Sequence, residues 1–320
     1  MLLTLILFLL ACVAMMFSGA WLVTHLTRIA AYLRVSGFVA AFVIMALSTS
    51  LPELFVGISA ATSNNGALAL GNIIGSNIVV LTLIVGISVL LARGIKVPSK
   101  TVRRESLSVF VIVVILSLLM FIGNGLSRFD GGLLVLLFLY HLYTMYKGSK
   151  RFSQKFADKP PRNDFVISVV IFIVSLVVLF GSADAVVKYG TSLASDLSLP
   201  PILIGLFIVA LGTSLPELAF QVRAATQGKG EMSLGDALGS VITNSTLIIG
   251  IVALINPIEA NFLLYLTSAI FMVVITFIFL TFVESEDRLR VKEGISLIFL
   301  YVIFLVVEFY IKTIEGKELF

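Results

Sequence analysis

The chain has 320 residues, 59% of them hydrophobic and only 12% charged, with a mean hydropathy of +1.12 and a formal net charge of +4. A soluble domain carries about 25% charged residues, so this chain has too little charge to coat a globule. A water-soluble fold is excluded, and a polytopic membrane protein is required.

Ten near-continuous apolar stretches are long enough to cross a hydrocarbon core of about 30 Å: 2–24, 36–60, 67–92, 106–124, 129–147, 165–189, 200–225, 231–255, 262–283 and 294–312. None alternates with period two, so helices rather than a barrel satisfy the backbone. The expected fold is all-α, ten transmembrane helices. The first stretch passes through Leu-Leu-Ala-Cys12, which loosely resembles a cleavage site, but no basic segment precedes it, so a retained helix is expected. Cys12 is the sole cysteine, which rules out an intramolecular disulfide.

The second stretch carries Ala46-Leu-Ser-Thr-Ser-Leu-Pro-Glu53-Leu54, and the third carries Leu70-Gly-Asn-Ile-Ile-Gly-Ser76. After the fifth comes a basic segment, Lys147 to Arg162, with Pro160-Pro161. The seventh stretch then repeats the first motif as Ala210-Leu-Gly-Thr-Ser-Leu-Pro-Glu217-Leu218, and the eighth repeats the second as Leu234-Gly-Asp-Ala-Leu-Gly-Ser240. Both recurrences fall at an offset of 164, without a gap, and roughly half of positions 46–87 are identical in the second copy. One unit is written twice: residues 1–147, a linker at 148–164, and residues 165–320. Five spans per unit is an odd number, so the second copy is inverted relative to the first. Inverted repeats with interrupted helices mark transporters whose ion site lies near the midplane.

Basic residues separate by side. Taking the loops in alternation, all but Arg128, Lys188, Lys312 and Lys317 of the 22 Lys and Arg fall on one face. By the positive-inside rule that face is cytoplasmic and both termini lie outside, in a cell-membrane protein. The net charge reports topology, and nucleic acid is not an expected partner. No obligatory protein partner is implied.

Pro52 and Pro216 cannot donate to the carbonyls four residues back, Ser48 and Gly212, and each opens its helix. A freed carbonyl in hydrocarbon needs a cavity, water or an ion. Thr49, Ser50, Thr213 and Ser214 add hydroxyls at the breaks, and Glu53 and Glu217 follow the prolines at once. A charged residue inside a span costs about 2.5–3.5 kcal/mol on insertion scales, and no basic residue within the facing spans offsets it. Two carboxylates brought together by pseudo-symmetry repel unless they share protons or a cation. A paired cation site at Glu53 and Glu217 follows.

Asp236 replaces Asn72 of the first copy and shares a helix face with Ser240; ligand, proton carrier and packing donor all fit it. Gly71 with Gly75, and Gly235 with Gly239, form small-xxx-small faces that permit close helix contact. They place Ser76 and Ser240 where the hydroxyls can reach the glutamates. Neither motif holds Cys or His, so the donors are hard oxygens, which favour Ca²⁺ over Zn²⁺ or copper. The same oxygens suit Na⁺ or protons. No resident cofactor is implied, only transported ions. Asp184, His25, His141 and Glu308 read as interfacial or packing residues.

The doubled Thr-Ser-Leu-Pro-Glu and Gly-Asn-x-x-Gly-Ser motifs resemble the cation/Ca²⁺ exchanger superfamily, in particular its prokaryotic Na⁺/Ca²⁺ exchanger branch. The resemblance implies that Glu53 and Glu217 coordinate Ca²⁺. It implies that Thr49, Ser50, Thr213, Ser214, Ser76, Ser240 and the carbonyls of Ala46 and Ala210 complete the Ca²⁺ and Na⁺ sites. It also implies that the first and sixth helices slide over the remaining bundle. Family members commonly carry Asn or Asp four residues after each motif serine, where this sequence has Val80, which supplies no oxygen, and the neutral Asn244; it departs further at Ser48 for Gly and at Asp236 for Asn.

The leading expectation is therefore Ca²⁺ export driven by Na⁺ entry, because hydroxyls stand at all six motif positions. The runner-up is H⁺/Ca²⁺ exchange on the same glutamates, which the missing amide at Val80 suits. An intramembrane hydrolase also uses two buried acids, but no catalytic pair is repeated here, so no enzyme is expected. An ion sensor would need an appended soluble domain to read out binding.

Overall fold

The computed structural model describes residues 2–32, 49–97, 100–148, 161–259, 262–285 and 287–318. The described residues are almost wholly helical. In chain order they form α1 (Leu2–Tyr32), α2 (Leu51–Thr62), α3 (Gly66–Leu91), α4 (Lys100–Gly123), α5 (Arg128–Gly148) and α6 (Arg162–Asp196). There follow α7 (Pro201–Thr213), α8 (Leu215–Thr226), α9 (Gly230–Ile255), α10 (Phe262–Ser285) and α11 (Val291–Glu318). Seven of these are long and apolar enough to cross a membrane singly, and the bent pair α7–α8 makes an eighth candidate. Of the second expected span, 36–60, residues 36–48 lie outside the described residues, as does much of the linker at 148–164.

The seventh expected span, 200–225, is opened beside Pro216 as expected: α7 and α8 meet at Ser214 with a bend of 46°. Pro216 stands in the first turn of α8 and Pro52 in the first turn of α2. There a missing N–H costs nothing, because first-turn donors have no intrahelical partner. Ser50 and Ser214 cap the two helices with nearly the same backbone angles, φ −84° ψ 6° and φ −86° ψ 7°.

Helices α3 and α9 each contain one wide turn, Val80–Ile84 and Asn244–Ile248, at the same offset of 164. In each, a threonine hydroxyl donates to the carbonyl four residues back, Thr82 to Ile78 and Thr246 to Ile242. Such a bond competes with the backbone ladder, although a third wide turn, Ile204–Val209 in α7, forms without a threonine.

The close-packing expectation holds for α3. A Cβ on Gly75 would lie 2.7 Å from Ala210 Cβ and 2.8 Å from Leu206 Cα, and one on Gly71 would strike the Ile202 backbone. A Cβ on Gly235 meets nothing within 4 Å. Helix α1 runs along α6, with Tyr32 stacked on Phe165 at 4.2 Å between ring centroids and His25 Nδ1 3.2 Å from Ser168 Oγ.

Two short antiparallel ribbons tie the ends of the bundle. One pairs β1 (Ile95–Lys96) with β4 (Arg288–Leu289), and the other pairs β2 (Gly125–Leu126) with β3 (Ile258–Glu259). Gly66, at the start of α3, faces Ile258, whereas Gly230, at the start of α9, faces Ile95. The equivalent helices α3 and α9 thus begin at opposite ends of the bundle.

Candidate functional site

Glu53 and Glu217 occupy the first turns of α2 and α8, and they are 0% and 1% exposed. Around Glu53, Oε1 accepts from Ser76 Oγ of α3 at 3.3 Å and from Ser214 Oγ at the α7–α8 break at 3.4 Å. Thr213 Oγ1 lies 3.2 Å from Ser76 Oγ and donates to Asn72 Oδ1 at 3.2 Å. The Ala210 carbonyl accepts from the Thr213 hydroxyl at 3.2 Å and from the Ser214 N–H at 3.1 Å. One side of the site is therefore made from both halves of the chain.

The other side is arranged differently. Thr49 Oγ1 donates to Asp236 Oδ1 at 3.3 Å and lies 3.3 Å from Ser240 Oγ. Gln221 Nε2 donates to Asp236 Oδ2 at 2.9 Å. Glu217 lies beside Thr49 and within electrostatic range of Glu53 and Asp236, yet neither of its oxygens has a donor at hydrogen-bonding geometry. Glu53 Oε2, Ser50 Oγ, Asn72 Nδ2, Gln221 Oε1 and both polar atoms of Asn244 also lack a hydrogen-bond partner. Unsatisfied polar atoms buried at this density are costly, and they mark a site built for something besides its own side chains.

The structure thus gathers Glu53, Glu217, Thr49, Ser50, Thr213, Ser214, Ser76, Ser240, Ala210, Asn72 and Asp236 around the two proline breaks; Ala46 lies outside the described residues. The Ser76 hydroxyl reaches Glu53 as expected, whereas the Ser240 hydroxyl meets Thr49. Val80 and Asn244 both open their wide turns and are buried. No Lys or Arg is buried among the described residues, so no cation of the chain neutralises these acids. Among the described residues no three His, Cys, Asp or Glu converge as a metal cage. Any ion held here takes hydroxyl and carbonyl oxygens as well.

Gln221 escapes the motif reading. Its signal is its position four residues after Glu217, one turn along the same face of α8. Asn77, whose Nδ2 donates to Ser245 Oγ at 2.8 Å, is a second polar link between the halves. Elsewhere, His141 Nε2 pairs with Glu105 Oε2 at 3.0 Å, the buried Glu308 accepts from Thr267 at 3.2 Å, and Asp184 accepts from Ser59 at 3.0 Å.

A bundle of apolar helices, one pair of them bent at Ser214 ahead of Pro216, with buried carboxylates and no buried Lys or Arg among the described residues, defines a membrane protein with a polar interior. Both halves of the chain, residues 3–147 and 167–310, match the family described as sodium/calcium exchanger protein, and the chain belongs to that family. It is 29% identical over 332 residues to the sodium/calcium exchanger MaX1 of Methanosarcina acetivorans, covering 91% of this chain and 94% of that one. It is also 29% identical to the inner membrane protein YrbG of Escherichia coli, over 74% of this chain and 75% of the other. The fold matches solved structures of the sodium-calcium exchanger NCX_Mj with a TM-score of 0.69 at 28% identity, covering 95% of this chain and 98% of that one.

Proposed function

We propose that this chain is an antiporter that exports Ca²⁺ in exchange for Na⁺, loading both in turn at the site between Glu53 and Glu217. One observation carries the reading. Three oxygens of these two buried carboxylates have no donor, and among the described residues no Lys or Arg is buried to offset their charge. Ca²⁺ takes six to eight oxygens. The two carboxylates, the hydroxyls of Thr49, Ser50, Thr213, Ser214, Ser76 and Ser240, and the Ala46 and Ala210 carbonyls offer more than that number, enough for either load. Two negative charges balance one Ca²⁺ or two Na⁺, so the loads compete for the same oxygens.

The architecture we propose is ten spans in two inverted five-helix repeats, residues 1–147 and 165–320, joined by a basic cytoplasmic linker at 148–164. The opposite starting ends of α3 and α9, and the pairing of each half's first ribbon strand with the other half's second, support it. The β1–β4 end carries Arg93, Lys96, Arg288 and Arg290 and is taken as cytoplasmic, leaving the β2–β3 end and both termini outside the cell membrane.

H⁺/Ca²⁺ exchange is the second reading, favoured by the buried aliphatic Val80 at a position where an amide would add an oxygen. Ca²⁺ uptake into proteoliposomes, driven by an outward Na⁺ gradient with pH clamped on both sides, separates the two. Uptake that follows the Na⁺ gradient is expected. Uptake that ignores Na⁺ and follows an imposed pH gradient assigns the proton instead.

A further inference from the structure

A site whose carboxylates are 0–1% exposed has to be uncovered toward one face at a time. Two seams made from equivalent positions cover it toward the two faces, and they differ. Toward the β2–β3 end, α2 lies against α6. Phe55 and Phe180 meet edge to face at 5.7 Å between centroids. One turn further along both helices, Ser59 Oγ donates to Asp184 Oδ1 at 3.0 Å. Just beyond α2, Asn65 Nδ2 donates to Thr191 Oγ1 at 2.8 Å. Residues 180, 184 and 191 recur at helical spacing and form one stripe of α6.

Toward the other end, α8 faces α1. The residues 164 positions from Phe55, Ser59 and Asn65 are Ala219, Arg223 and Lys229, and those equivalent to Phe180 and Asp184 are Met16 and Ala20. Ala219, Arg223, Lys229 and Ala20 are exposed, whereas Ser59 is buried. No hydrogen bond or ring contact joins these described residues across the seam. One seam is fastened at three points, and in its counterpart five of the six fastening positions carry other residue types, Thr27 alone matching Thr191.

We propose that the α2–α6 seam is a latch that holds the exchanger closed toward the outer face at rest, with Asp184 as its central residue. The naming of the faces and the need to alternate between them rest on the function proposed above. Glu53 sits in the first turn of α2, and Ser59 lies about 9 Å further along the same helix at 1.5 Å per residue. Parting α2 from α6 is therefore what uncovers Glu53 outward. The Ser59–Asp184 hydrogen bond joins the two helices directly, and its donor is buried. Its loss should shift the ratio of outer-open to outer-closed conformers about tenfold.

Cys12 is the only cysteine, so Cys12→Ser gives a thiol-free background. Ala60→Cys then places a reporter on the Glu53 face of α2, buried at 0% exposure beneath the seam. The measurement is its labelling rate by a membrane-impermeant maleimide added from outside. Slow labelling is expected, rising about tenfold in Asp184→Ala, less in Thr191→Val, and little in Asp184→Asn, whose amide oxygen still accepts from Ser59. Arg223→Ala should leave the rate unchanged. An unchanged rate in both Asp184→Ala and Thr191→Val, in correctly inserted protein, overturns the latch, and so does an equal rise in Arg223→Ala.

Labelling needs no transport, so this outcome is independent of whether the cargo is Ca²⁺. Where transport is measured, Asp184→Ala should lower the external and raise the internal Ca²⁺ half-saturation together. A merely destabilised protein would lose activity from both sides.

Discussion

The two sides of the site use equivalent residues to different ends. On one side Ser76 and Ser214 aim their hydroxyls at Glu53, and Thr213 is held by the neutral Asn72. On the other, Thr49 turns to Asp236, which Gln221 fixes from behind, and both oxygens of Glu217 are left without donors. The repeat therefore sets where oxygens stand, while one exchange of Asn for Asp redirects the hydroxyls and adds a charge. Position is inherited by symmetry, and the ionic balance is set by the departures from it.

The largest expected effect tests what the two sides share. Glu53→Gln and Glu217→Gln should each reduce Ca²⁺ transport by roughly 100-fold or more, since each removes half the charge facing a divalent ion in a low-dielectric interior. Flux assays on reconstituted protein check this, with membrane insertion confirmed separately. Loss in one variant and near-normal flux in the other would break the paired-site account.

The next effect separates the two helix contacts. Gly75→Ala drives a methyl into Ala210 and the α7 backbone and should destabilise by about 1–3 kcal/mol, whereas Gly235→Ala meets open space and should be close to neutral. Thermal unfolding in detergent reads the difference, and equal shifts would mean that the two faces pack alike.

A smaller change is expected from Asp236→Asn, which makes the two sides chemically alike. Ca²⁺ half-saturation should rise about tenfold, since attraction to a fixed charge scales with the charge on the ion, while Na⁺ half-saturation should move less. Equal shifts for both ions would return Asp236 to a packing role. Smallest is the proton effect. Protons compete for the same carboxylates, so Ca²⁺ half-saturation should rise a few-fold per unit fall in pH near the working range, and less steeply in Asp236→Asn. A pH-independent half-saturation would show that these acids do not titrate there.

Much of this was legible in the chain because identical residues recur at a fixed offset. The motif repeat alone located both glutamates, both prolines, the six hydroxyls and the helix breaks. Apolar length located the helices, although it placed the start of α4 at 106 rather than Lys100 and could not show that α7 and α8 meet at an angle. Features made by residues far apart in sequence stayed hidden. The ribbons pair two-residue strands 194 positions apart, Ile95 with Leu289, and 134 apart, Gly125 with Glu259, and carry no local signature. The wide turns carry no local signature either: two hold a threonine that reads as an ordinary helix residue, and a third, Ile204–Val209, holds none. Asp184 reads as an interfacial acid, and only its contact with Ser59 shows what it fastens.

The central claim is that one cation site is shared between the two halves. Equilibrium binding of radiolabelled Ca²⁺ to purified protein, with Na⁺ added stepwise, tests it most directly. The account predicts one Ca²⁺ per chain, displaced by Na⁺ and lost in both Glu53→Gln and Glu217→Gln. Two independent Ca²⁺ ions per chain, each surviving the loss of the other half's glutamate, would contradict it.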